Sequence, residues 1–87
     1  MGIKIILADD HKIIREGLRA LLEKEPDMEV VGEANDGIAT VRLTKNLNPD
    51  IVIMDIGMPD MNGIEATRQI ISETKGVKVI ALSMHSD

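Results

Sequence analysis

Four short apolar runs, rich in β-branched residues and separated by segments of helical spacing, constrain this chain more than any other feature. They cover residues 3–8, 28–31, 51–54 and 77–82. The first, third and fourth are nearly continuous rather than alternating, the pattern of strands covered on both faces in a parallel sheet. Between the first two, residues 12–25 place Ile14, Leu18, Leu21 and Leu22 at helical intervals, flanked by Ile13 and Gly17. Lys12–Glu16 and Arg19–Glu23 are i,i+4 pairs on the outer side, and Pro26 ends the element. A weaker helix is expected over 38–46, opened by Asn35-Asp36-Gly37 and closed before Pro49. A third is expected over 63–74, with Ile64, Thr67, Ile70 and Ile71 buried and Gly76 as its stop.

The order is therefore β-α-β-α-β-α-β, without repeat or linker. Right-handed crossovers then give an α/β fold: a doubly wound, flavodoxin-like parallel sheet in the order 2-1-3-4. Its switch point lies between the first and third strands, where ligands bind beyond the carboxyl ends.

Both strands end in acids, Asp9-Asp10 on the first and Asp55 on the third. Neighbouring strands lie about 4.8 Å apart, so the three carboxylates should converge. Three such charges repel, and a hard divalent cation relieves the repulsion; sparse all-oxygen ligation suits Mg²⁺. Each acid alone has a plainer use: Asp10 as a helix cap, Asp9 as a solvated strand end, Asp55 in turn chemistry. Only their joint placement favours a site. Ser83, closing the fourth strand, can bond a group carried by Asp55 or simply cap the next helix. The two glycines of the 57–63 loop permit close backbone approach or a plain helix entry.

Other features are weaker. His11 and His85 lack a second His or Cys at ligand spacing, so neither is expected to bind metal. Met54, Met58, Met61 and Met84 read as packing. Lys12, Arg15 and Arg19 form a basic strip, by default a solvated face and otherwise a docking patch for an acidic partner. With 15 acidic against 10 basic residues, net charge −5 and no aromatic residue, the chain is a poor match for nucleic acid or an anionic membrane surface. It has no cysteine and no apolar segment of spanning length, and a cytoplasmic location is expected.

Taken together, ADDH at 8–11, IVIMDIGMPDMNG at 51–63 and ALS at 81–83 resemble the receiver domain of two-component response regulators. The stretch ADDHKIIREGLRALLE at 8–23 looks most like the NarL/FixJ (LuxR-type) subfamily. The resemblance implies a CheY-like fold and a phosphoacceptor, Asp55, charged by a sensor histidine kinase or a small acyl phosphate. It implies Mg²⁺ bound by Asp10 directly and by Asp9 through water, with Asp55 and the Gly57 carbonyl completing the protein ligands. Ser83 would be the switch hydroxyl, Pro59 and Gly63 would shape the loop, and Gly57 and His85 would tune hydrolysis of the acyl phosphate.

In the family the fold continues through a fifth strand bearing an aromatic switch residue and a phosphoryl-pairing lysine, then a last helix. Residues 1–87 are thus expected to be the N-terminal part of a receiver domain. The fifth strand, last helices and DNA-binding helix-turn-helix output domain lie outside the sequence, and DNA is a partner only through that output domain. Lys75 and Lys78 stand on the wrong side of the fourth strand to replace the lysine. That strand's apolar edge, guarded only by Lys78, is expected to drive homodimerisation or element swapping.

Two rival readings compete with this one. An aspartyl-phosphate phosphohydrolase needs a second Asp two residues after its nucleophile, and positions 11 and 12 are His and Lys. A phosphorylation-independent interaction module would carry the same acids without using them.

Overall fold

The computed structural model describes residues 2–55 and 63–82 of the chain. Seven elements succeed one another: β1 (Ile3–Ala8), α1 (Lys12–Leu22), β2 (Met28–Ala34), α2 (Gly37–Leu47), β3 (Ile51–Asp55), α3 (Gly63–Glu73) and β4 (Lys78–Leu82). The strands form one parallel sheet in the order β2-β1-β3-β4, the topology expected from the alternating pattern.

Why β1 reads as a continuous apolar run is now plain. Ile5, Ile6, Leu7 and Ala8 are all buried, and alternate side chains enter different layers. Ile6 and Ala8 pack with Val41 of α2 and Ala66 and Ile70 of α3, whereas Ile5 and Leu7 meet Leu18 and Leu22 of α1. On β3, Val52 and Met54 are wholly buried against α2 and α3; Ile53, facing α1, is only partly covered.

Four local expectations need correction. The second strand runs to Ala34, not 31, because the pairing with β1 shifts between Ile5 and Ile6. This bulge interrupts the apolar pattern, and Gly32 comes next, where an added Cβ would lie 3.1 Å from the Leu47 side chain of α2. Helix α1 stops at Leu22 rather than 25, since Pro26 bars helix at Glu25 and has no N–H to offer. The Glu25 N–H instead closes a tight turn onto the Leu22 carbonyl at 3.0 Å.

The buried faces of two helices also differ from expectation. Ile14, Leu18 and Leu22 are half-buried at i, i+4 and i+8, while Leu21 is 62% exposed. In α3 the stripe is Ala66 and Ile70, both at zero exposure, with Ile64 and Ile71 exposed. Helix α2 matches its signals more closely: the Asp36 side chain accepts the Ala39 N–H at 2.7 Å, and Asn48 ends it with φ of 47°. The expected stop at Gly76 has a φ of 83°, which favours glycine.

Candidate functional site

Strand geometry brings the acids together. Ala8 pairs with Met54, so the next residues, Asp9 just past β1 and Asp55 closing β3, stand side by side at the carboxyl edge of the sheet. Both are buried, each 3% exposed, and Asp10 projects more openly next to them. One carboxylate oxygen from each of Asp9, Asp10 and Asp55, with a ring nitrogen of His11, lies within 4.8 Å of the others. Asp9 is therefore not a solvated strand end. Nor does Asp10 cap α1: the N-cap position belongs to His11, without a side-chain bond.

His11 is the residue that sequence reasoning missed. Its Nδ1 lies 2.8 Å from Asp9 Oδ1, 3.1 Å from Asp10 Oδ1 and 3.9 Å from Asp55 Oδ2. The His11 N–H also donates to Asp9 Oδ1 at 2.7 Å. The hydrogen bond to Asp9 raises the imidazole pKa most, followed by the charge of Asp10, and partial desolvation opposes them. A search for paired His or Cys could not find it. The usable signal was adjacency, because a residue opening a helix directly after a strand end can turn its ring back over that edge.

Of the remaining candidates, Gly57, Pro59, Ser83 and His85 lie outside the described residues, as do Met58, Met61 and Met84. Met54 is core, as expected. Lys78 pairs with Ile51 at the opposite end of the sheet from the acids.

Two residues of the basic strip, Arg15 and Arg19, are engaged rather than free in solvent. Arg15 Nε donates to Glu33 Oε1 of β2 at 3.1 Å, and Arg19 Nη1 donates to Glu33 Oε2 at 2.6 Å. Arg15 Nη1 also reaches the Asp9 carbonyl at 2.6 Å. Of the two expected i,i+4 pairs, Arg19–Glu23 forms at 3.4 Å, while Lys12–Glu16 is not among the ion pairs of the described residues. A groove of about 400 Å³ runs along this side of α1, but four of its charged residues, Arg15, Arg19, Glu23 and Glu33, already engage one another, and it includes none of the three aspartates.

Partial burial pushes the Glu33 pKa up, yet the hydrogen bonds and positive charges of Arg19 and Arg15 together outweigh it and hold it below the usual value. A depressed carboxylate pKa stabilises the fold above its unfolded value and loses that contribution as pH falls through the folded one. Glu33→Gln should therefore cost about 1 kcal/mol at neutral pH. In urea unfolding, the gap between the two proteins should close below about pH 4. A gap that persists unchanged in acid would contradict the pairing.

As a donor set, three carboxylates and one imidazole suit a divalent metal ion, with oxygen in the majority. No described helix is long and apolar enough to cross a membrane.

Comparison with known proteins extends this picture. Residues 5–87 match the model of the response regulator receiver domain. The transcriptional regulatory protein DegU of Brevibacillus brevis is 47% identical over 85 residues, covering 98% of this chain and 36% of that protein. The chain thus spans little more than a third of that relative's length. A LuxR-family two-component response regulator from Aurantimonas sp. SI85-9A1 superposes with a TM-score of 0.91 at 42% identity, covering 99% of this chain and 61% of that one. RcsB of Salmonella enterica serovar Typhimurium, solved on the rprA promoter with the phosphomimetic BeF3⁻, gives a TM-score of 0.88 at 30% identity, covering 99% of this chain and 72% of that one.

Proposed function

The chain belongs to the response regulator receiver domain family, and from that premise we propose that it is a phosphoacceptor signalling domain with Asp55 as the accepting residue. The observation that carries the proposal is the convergence of Asp9, Asp10, Asp55 and His11 within 4.8 Å at the carboxyl edge of β1 and β3. A phosphomimetic in the structure of RcsB, a relative of the same fold, supports it.

In the proposed reaction a carboxylate oxygen of Asp55 attacks the phosphorus of a phosphohistidine on a sensor kinase, or of a small acyl phosphate. The new O–P bond forms as the old bond to phosphorus breaks: with phosphohistidine the P–N bond, its electron pair staying on the imidazole nitrogen, which takes up a proton; with an acyl phosphate the P–O bond, its electron pair leaving on the released carboxylate. An anionic nucleophile meeting an anionic phosphoryl group needs its charge offset. Asp10 and Asp55, with Asp9 assisting and the Gly57 carbonyl as a further ligand, would hold Mg²⁺, which when bound would supply that neutralisation.

The chain's own residues do the rest. Burial at the end of β3 fixes where the Asp55 carboxylate stands, and the Asp9-Asp10 turn keeps two further oxygens beside it. The acyl phosphate carries roughly two negative charges, where the free carboxylate carries one, and brings new acceptor oxygens. Ser83 is the proposed switch hydroxyl drawn towards them, and in a full-length cytoplasmic regulator the change would control a transcriptional output.

The test is incubation of the full chain with acetyl phosphate, with and without Mg²⁺, then intact-mass measurement and peptide mapping. One phosphoryl group per chain, on the peptide holding Asp55 and only with Mg²⁺, is the expected result. Label elsewhere, metal-independent label, or sustained turnover of acetyl phosphate would contradict it.

A further inference from the structure

We propose that Arg15 is a positioning residue for the carboxylate cluster: anchored on Glu33 of β2, its guanidinium pins the Asp9 carbonyl and so sets the turn from which Asp9 and Asp10 project. The inference rests on the phosphoacceptor reading for what the cluster binds, and concerns how this chain aims its ligands.

The geometry is specific. Arg15 is the better covered of the two arginines, its side chain 17% exposed against 48% for Arg19. It uses two separate nitrogens of one planar fork: Nε on Glu33 Oε1 and Nη1 on the Asp9 carbonyl, the latter at only 2.6 Å. A planar fork links two acceptors in fixed relation; a lysine ammonium is a single point charge on a flexible stem. Glu33 is itself held, since its other oxygen accepts from Arg19 at 2.6 Å.

Asp9 is consequently tied to β2 through both of its backbone polar groups. Its N–H donates to the Ala34 carbonyl at 3.0 Å, and its carbonyl reaches the neighbouring Glu33 by way of Arg15. The carbonyl of Asp9 and the N–H of Asp10 share one rigid peptide plane. Holding that carbonyl fixes ψ of Asp9 and φ of Asp10, and with them the directions in which both carboxylates leave the chain. Groups that orient ligands from outside the coordination sphere alter metal affinity by about 10- to 100-fold.

The experiment is a Mg²⁺ titration of the full chain monitored by two-dimensional amide spectra, on the parent and on Arg15→Met, Arg15→Lys, Arg19→Met, Glu33→Ala and Glu33→Gln. Arg15→Met should raise the Mg²⁺ dissociation constant roughly tenfold, and Arg15→Lys should not restore it. Glu33→Ala should weaken binding, while Glu33→Gln, which keeps an oxygen acceptor for Arg15, should recover most of the loss. Arg19→Met removes one of the two bonds that hold Glu33 but leaves the contact of Arg15 with Asp9 in place, and should weaken binding clearly less than Arg15→Met does.

Before any metal is added, Arg15→Met should shift the Asp9 carbonyl carbon and the Asp10 amide nitrogen, and Arg19→Met should not. Parent-like Mg²⁺ affinity in Arg15→Met and Arg15→Lys would overturn the inference. So would equal weakening by Arg15→Met and Arg19→Met, which would mark a general loosening of α1. Failure of the parent itself to bind Mg²⁺ is a different result, and overturns the phosphoacceptor reading first.

Discussion

Replacing Asp55 by Asn should abolish acetyl-phosphate labelling altogether, while leaving the helical and strand signal of the folded chain in place. The side chains have nearly the same shape, so the buried end of β3 can keep its packing. What changes is chemistry: an amide is neutral, its nitrogen lone pair is delocalised, and it is no nucleophile towards phosphorus. Neither neighbouring acid should take over. Asp9 Oδ1 is already occupied by the His11 N–H and lies against its ring, and Asp10 stands at the exposed margin of the cluster. Residual labelling above about 1% of the parent rate, a barrier difference of about 2.7 kcal/mol, would mean that another carboxylate accepts the phosphoryl group.

The second large effect concerns stability, and it separates two adjacent isoleucines. Ile70→Ala should cost about 3 kcal/mol, because Ile70 is fully buried in the core shared by α2, α3 and the sheet. A small domain has only about 5–15 kcal/mol in all, so a substantial unfolded fraction should appear at modest urea concentrations. Ile71→Ala should cost less than about 0.5 kcal/mol, since its side chain is 63% exposed. Urea midpoints of the two variants read this directly. Equal midpoints would place the face of α3 elsewhere.

That pair also shows how far the sequence could be read. Strands covered on both sides declare themselves as unbroken apolar runs, so β1 and β3 were legible, and with them the sheet order and the edge where Asp9 and Asp55 meet. A helix with Ile64, Thr67, Ile70 and Ile71 at helical spacing has no such clarity: several faces of similar width fit the pattern. Packing against the sheet and α2 selected Ala66 and Ile70, and Ala66 is too small to stand out in a hydropathy pattern. The bulge in β2 was hidden for a related reason, because Gly32 and Glu33 look like the end of a strand unless their partners in β1 are known.

At the site, spacing rules failed to show spatial neighbours twice. His11 was set aside for want of a partner at ligand spacing, yet the partners it meets are carboxylates on the same edge. Arg15 and Glu33 are 18 residues apart, and no local periodicity joins them; only docking of α1 on the β1–β2 side of the sheet does. The identity of the clustered acids is thus a local matter, whereas their aim depends on contacts between elements.

Calorimetric titration of Mg²⁺ into the parent, Asp10→Asn and Asp55→Asn tests most directly whether the acids ending β1 and β3 make one cation site. A single ion per parent chain, with affinity reduced at least about tenfold by either substitution, is the expected outcome. Unchanged affinity in both variants, or two independent ions each lost with a different aspartate, would contradict it.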